Sequence, residues 1–186
     1  MKQELRAAYA EPHRHYHDIR HIEACLGELT ALEGLSADER RILEYAIWWH
    51  DAVYDPTRSD NEEQSAVLAE RDLAQLDVDP ATRETVARLI RLTRDHKVAP
   101  GDRLGTLLVS IDLSILGRPA AEYDVYAAAI RGEYAHVPDA MYRTGRAAVL
   151  RRFLAVPAIY PDPEFRRRYE QQARANLARE IARLET

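Results

Sequence analysis

Apolar residues recur three and four positions apart along almost the whole chain, as at Ile42, Ala46, Trp49 and Val53, and this spacing constrains the fold most. Side chains at that spacing share one face of an α-helix, whereas a half-buried strand would need strict alternation, and runs of alternating β-branched residues are scarce. The chain is therefore expected to be all-α. Its punctuation agrees: Ser36 stands before Asp38 and Glu39 as an N-cap, Asp79-Pro80 opens a helix, and Pro100-Gly101 separates two more. The pattern predicts about eight helices, over roughly 17 to 32, 37 to 54, 60 to 76, 80 to 95, 102 to 116, 120 to 135, 139 to 154 and 162 to 184. The last carries Phe165, Tyr169, Ala173, Leu177, Ile181 and Leu184 as an apolar stripe, with arginines interleaved by Glu170, Glu180 and Glu185. It reads as a packing helix with a solvated outer face.

A chain of 186 residues with 46% hydrophobic content can bury one full core, so residues 1–186 are expected to form a single domain. The formal charge of -5 argues against nucleic-acid binding through a broad basic face and favours a small substrate. One cysteine, Cys25, excludes an internal disulfide and a site built from several thiolates, which fits a reducing cytoplasm. No segment approaches the roughly 20 apolar residues that cross a bilayer, so no membrane partner is expected. A homodimer is left open.

Chemistry-bearing residues stand in three segments. His17 and His21 in YHDIRH are four apart, so on a helix they would share a face; that spacing alone fits a solvated or hydrogen-bonded surface better than a metal site. His50-Asp51 follows the apolar run AIWW, which is expected to be buried, alongside Trp48 and Trp49 as core. A buried ionised aspartate is costly unless it is paired or bound to a cation, and a neutral imidazole is a common partner ligand for a divalent ion. Asp112 in TLLVSIDLSILG poses the same problem, with an N-cap or a salt bridge as its other reading. Three such segments are explained most simply by one shared metal site.

In order and spacing, YHDIRH, WHD and DLS resemble the HD superfamily of metal-dependent phosphohydrolases, which includes the cyclic nucleotide phosphodiesterases. DNEEQSA, TRDH and ARANL extend the likeness over nearly the whole chain, to a bacterial family of HD phosphohydrolases. The resemblance implies a helical HD-type domain, metal ligation by His21, His50, Asp51 and Asp112, and a proton-donating role for His17 beside the catalytic Asp51. Asp18 stands where the phosphodiesterase signature has Asn.

Two imidazoles and two carboxylates suit Mn, Fe, Mg, Ni, Co or Zn, and the expected activity is hydrolysis of a small phosphate ester by metal-activated water. A second ion bridged by Asp51 would draw on Glu62, Glu63 or His96, the last equally readable as a helix cap. Asn61, where a His-Glu pair is expected of dinuclear relatives, favours one ion. Arg14 and Lys97 are expected at the substrate phosphate, against the simpler reading of both as solvated charges. A non-catalytic, metal-containing nucleotide-binding module is the alternative function, and oxygen chemistry on two irons a third.

Overall fold

The computed structural model describes residues 2–186, and among them every regular element is helical. There are nine α-helices, α1 (Lys2–Ala8), α2 (Ile19–Ala31), α3 (Ala37–Trp49), α4 (Asn61–Gln75), α5 (Pro80–Leu92), α6 (Arg103–Asp112), α7 (Ala120–Glu133), α8 (Asp139–Ala155) and α9 (Pro163–Leu184), and one 3-10 helix, Leu113–Gly117. The residues fall into two compact units, one ending at Ile111 and one running from Asp112 to Thr186.

In the first unit the expected caps form. Ser36 Oγ accepts from the Glu39 N–H at 3.1 Å while Glu39 Oε2 accepts from the Ser36 N–H at 2.8 Å, a reciprocal capping box that starts α3. Asp79 Oδ1 accepts from the Thr82 N–H at 3.0 Å, and Pro80 supplies the first residue of α5. Glycine ends the link before α6, where Gly101 takes a φ of 82° that side chains resist. Ile22, Leu43, Ile47, Trp49, Leu73, Leu89, Ile90 and Leu108 are wholly buried, each contributing about 1.5–3 kcal/mol by leaving water. They come from the apolar faces of α2 to α6, the pattern that the spacing implied.

Several boundaries differ from the expected ones, and two of them matter for chemistry. Helix α1 was not anticipated; its Leu5 and the following Tyr9 are buried, and that tertiary burial stabilises a segment too short to hold as an isolated helix. Helix α2 starts only after Asp18, whose carboxylate accepts from the Arg20 N–H at 2.8 Å, so His17 precedes the helix and does not share a helical face with His21. Helix α3 stops at Trp49 with His50 as its C-cap, five residues short of the expected end.

In the second unit, α9 lies along α8 and the 3-10 helix. Phe165, Tyr169, Ala173 and Leu177 are buried as the stripe predicts, while Ile181 and Leu184 are half-buried. Asn176 Nδ2 donates to the carbonyls of Leu116 (2.9 Å) and Arg118 (2.8 Å), satisfying the end of the 3-10 helix. Gly117 meets α9 so closely that a Cβ there would lie 2.8 Å from the Tyr169 carbonyl oxygen. Gly117→Ala is expected to cost about 1–3 kcal/mol of stability through that overlap, measurable by urea unfolding; an unchanged midpoint would show that α9 can retreat freely.

Candidate metal centre

The unravelling end of α3 shapes the site. Helix termini leave carbonyls without intrahelical partners, and here each is taken up by a specific group. The His50 Nδ1–H donates to Ile47 O at 2.9 Å, the Tyr9 hydroxyl to Trp48 O at 2.9 Å, and the Ala52 N–H to Trp49 O at 3.0 Å. The buried Arg14 guanidinium serves the next turn, with Nη1 donating to Asp51 O at 2.7 Å and Nη2 to Ala52 O at 3.1 Å. His50 and Asp51 are thus held at a helix end by hydrogen bonds to Ile47 O and from Arg14.

A carbonyl oxygen can only accept, so the bond to Ile47 O puts the His50 proton on Nδ1 and leaves Nε2 with its lone pair. That Nε2 faces two further donors. It lies 3.0 Å from His21 Nε2 and 3.0 Å from Asp51 Oδ2, and His21 Nε2 is 3.5 Å from the same carboxylate oxygen. Ligands about 2.1 Å from one ion stand about 3.0 Å apart at right angles and about 3.4 Å apart at the tetrahedral angle. The three atoms have the spacing of one face of a coordination polyhedron, and all three residues are candidate ligands of a single ion. Without an ion, two imidazole nitrogens at this distance must share a proton.

Behind His21, the Tyr16 hydroxyl lies 3.0 Å from Nδ1, the outer partner that fixes ring orientation when Nε2 binds a metal. Cys25, one turn further along α2, brings its buried sulfur to 3.8 Å from His21 Nδ1. In the metal-free protein burial would raise the Asp51 carboxyl, but the imidazoles of His50, His17 and His21, in their protonated forms, outweigh it by their charge and by the hydrogen bond from His50, and hold the group well below the usual carboxylate range. Asp51 is therefore an anion whose side chain keeps 17% of its surface. Such a group invites a cation.

His17 sits at the edge of this cluster. Its ring is stacked on Tyr54 at 4.3 Å between centroids and is 6.1 Å from that of His21. The YDPTRSD loop carrying Tyr54 is stapled to α4: Asn61 accepts from the Asp55 N–H at 3.1 Å and donates to Asp55 O at 2.8 Å. One turn on, Ser65 Oγ accepts from the Val53 N–H at 3.0 Å. The DNEEQS motif thus acts here through Asn61 and Ser65 as loop anchors, a role that their sequence pattern did not suggest.

Asp112 is the last residue of α6, half-buried, with helical backbone angles and no capping bond to the 3-10 helix that follows. The N-cap reading is thereby removed. None of Glu62, Glu63 and His96 joins a group of metal-ligand spacing among the described residues. Glu63 is exposed and paired through both oxygens with Arg91, at 2.7 and 2.8 Å. Glu62 is half-buried in the first turn of α4, where an acidic residue complements the helix dipole. His96 has a φ of 54° and its N–H donates to Leu92 O at 2.9 Å, so its backbone closes the end of α5 in the left-handed conformation of a C-terminal cap. Lys97 is exposed. Arg14, expected at a substrate phosphate, is buried against the chain itself.

No single described helix is long and apolar enough to cross a membrane. Against known proteins, the chain matches no family model, no curated protein and no solved structure, so the buried His21, His50 and Asp51 group stands on its own geometry.

Proposed function

We propose that this chain is a metal-dependent hydrolase of a small phosphate ester, of the HD phosphohydrolase type that YHDIRH, WHD and DLS resemble. The observation that carries the reading is the triangle of His21 Nε2, His50 Nε2 and Asp51 Oδ2, with edges of 3.0, 3.0 and 3.5 Å and the His50 lone pair turned inward. Asp112 is proposed as the fourth ligand, on the strength of its place at the end of an apolar helix and of the resemblance. When bound, a divalent cation here supplies Lewis-acid activation of water and of a phosphoryl oxygen.

The protein's own groups account for the rest. Asp51 and Asp112 would offset the cation's charge, so that an anionic ester is not held too tightly to turn over. Tyr16 orients His21, Ile47 O orients His50, and Tyr54 holds the His17 ring where it would donate a proton to the departing oxygen. His17 is not among the clustered donors. His17→Ala is therefore expected to retain the metal while lowering kcat about 100-fold or more, measured on whichever phosphomonoester or phosphodiester of a broad panel is turned over. Metal-replete protein that hydrolyses nothing on the panel, yet binds a nucleotide tightly with or without His17, would instead make it a non-catalytic binding module.

A further inference from the structure

We infer that Arg14 is a positioning residue of the metal centre, a role that rests on the metal reading above. Its side chain has no solvent exposure, and it makes four hydrogen bonds, all to the chain itself. Nη1 donates to His17 O at 3.0 Å and Asp51 O at 2.7 Å, Nη2 to Ala52 O at 3.1 Å, and Nε to Glu11 Oε2 at 2.9 Å. The guanidinium also lies 5.2 Å from the Tyr9 ring centroid and 5.5 Å from that of Tyr54.

These bonds join the two stretches of backbone that the site needs in register. One is the turn before α2, which carries His17 and leads into His21; the other is the turn after α3, which carries His50 and Asp51. Neither stretch is held by helical hydrogen bonding at that point, so the planar five-donor fork does for both what a helix would otherwise do. Four of the five N–H groups are committed, which leaves no paired fork for a phosphate. A ligand set tolerates displacements of only about 0.5 Å, so loss of this brace would loosen the ligands and not merely the fold.

Lysine keeps the charge but offers a single point of attachment, so Arg14→Lys separates the fork's geometry from its charge. Arg40 is the control. It also serves two carbonyls in the same unit, Leu29 O and Leu32 O at 2.7 Å each, at the far end of α2 from His21. Cobalt(II) is the probe, with its visible absorption band reporting ligand geometry and a titration giving affinity, alongside thermal melting of the full chain.

Arg14→Lys and Arg14→Met are expected to weaken cobalt binding about 10- to 100-fold and to shift its band, the range found when an outer partner of a ligand is lost. Arg40→Met should lower the melting temperature and leave both readouts as in wild type. If the Arg14 variants do not fold, Glu11→Ala still reports, because it removes only the exposed carboxylate that steers Nε; affinity should fall by up to about fivefold. Wild type that takes up no cobalt overturns the metal reading and this one together. Wild type that binds while the Arg14 and Glu11 variants bind equally well, or while Arg40→Met weakens binding as much as Arg14→Lys, overturns the positioning role alone.

Discussion

His50→Ala is expected to abolish the stabilisation that a divalent cation gives this protein. A ligand that binds only the folded state at 100 times its Kd stabilises by about 2.7 kcal/mol, roughly 5 to 10 °C in Tm for a chain of this size. Removing one of the proposed protein donors should weaken binding by at least the roughly 100-fold that an outer partner alone can cost, leaving about 0.4 kcal/mol at the same concentration. Asp51→Asn should behave alike, since it removes the anion of the His21, His50 and Asp51 group. Melting curves with and without manganese or zinc decide the matter; equal shifts in wild type and His50→Ala would remove His50 from the site.

Asp51 also makes a prediction for the metal-free protein. Its carboxyl is held below the ordinary value, so the ionised form stabilises the fold. That contribution is fully present above the unfolded pKa, about 3.9, and is lost as pH falls through the lower folded value. The stability gap between wild type and Asp51→Asn should therefore still be present at about pH 5 and narrow only below about pH 4. A gap that closes near neutrality would contradict the depressed value.

The second large effect belongs to the unit from Asp112 to Thr186. Arg146 Nε and Nη2 donate to the two oxygens of Glu180 at 2.8 and 3.2 Å, the Tyr123 hydroxyl donates to the same carboxylate, and Arg146 Nη2 also reaches the Tyr126 hydroxyl at 3.2 Å. Both charged side chains are about nine-tenths buried. Burial first, and then the charge of Glu180, drives the Tyr123 phenol far above its ordinary value, so it stays a donor at any working pH. Arg146→Met strands a carboxylate among apolar neighbours and should cost about 3–5 kcal/mol. Adding Glu180→Leu should recover most of that loss, because an apolar pair no longer pays the desolvation of either ion. Urea unfolding of both variants tests this, and losses that simply add would mean that the pair is not coupled.

The sequence proved readable in proportion to how local each cause was. The Ser36 cap, Asp79-Pro80 and the Phe165 to Leu177 stripe depend on residues within one or two turns of each other, and they appear where the pattern put them. The start of α2 did not. Asp18 is both the middle of YHDIRH and a good N-cap, and its capping bond starts the helix only after it, so His17 lies outside the helix and its ring is set beside that of His21 without helical spacing. Likewise α3 looked longer because Ala52 and Val53 continue its apolar period, yet Arg14 draws the Asp51 and Ala52 carbonyls out of helical pairing. Arg14 lies 37 residues from Asp51, and no local pattern encodes that bond.

The opening periodicity by itself determined an all-helical chain, its core residues and the three segments bearing imidazole or carboxylate groups, because burial of apolar faces is a property of spacing. Only the tertiary structure decided that His21, His50 and Asp51 converge to 3.0–3.5 Å, that Glu63 is occupied by Arg91, and that Arg14 is a brace within the protein. The physical reason is that ligand geometry depends on which orphan carbonyls at a helix end find which distant donors, and such pairings exist only once the chain has folded.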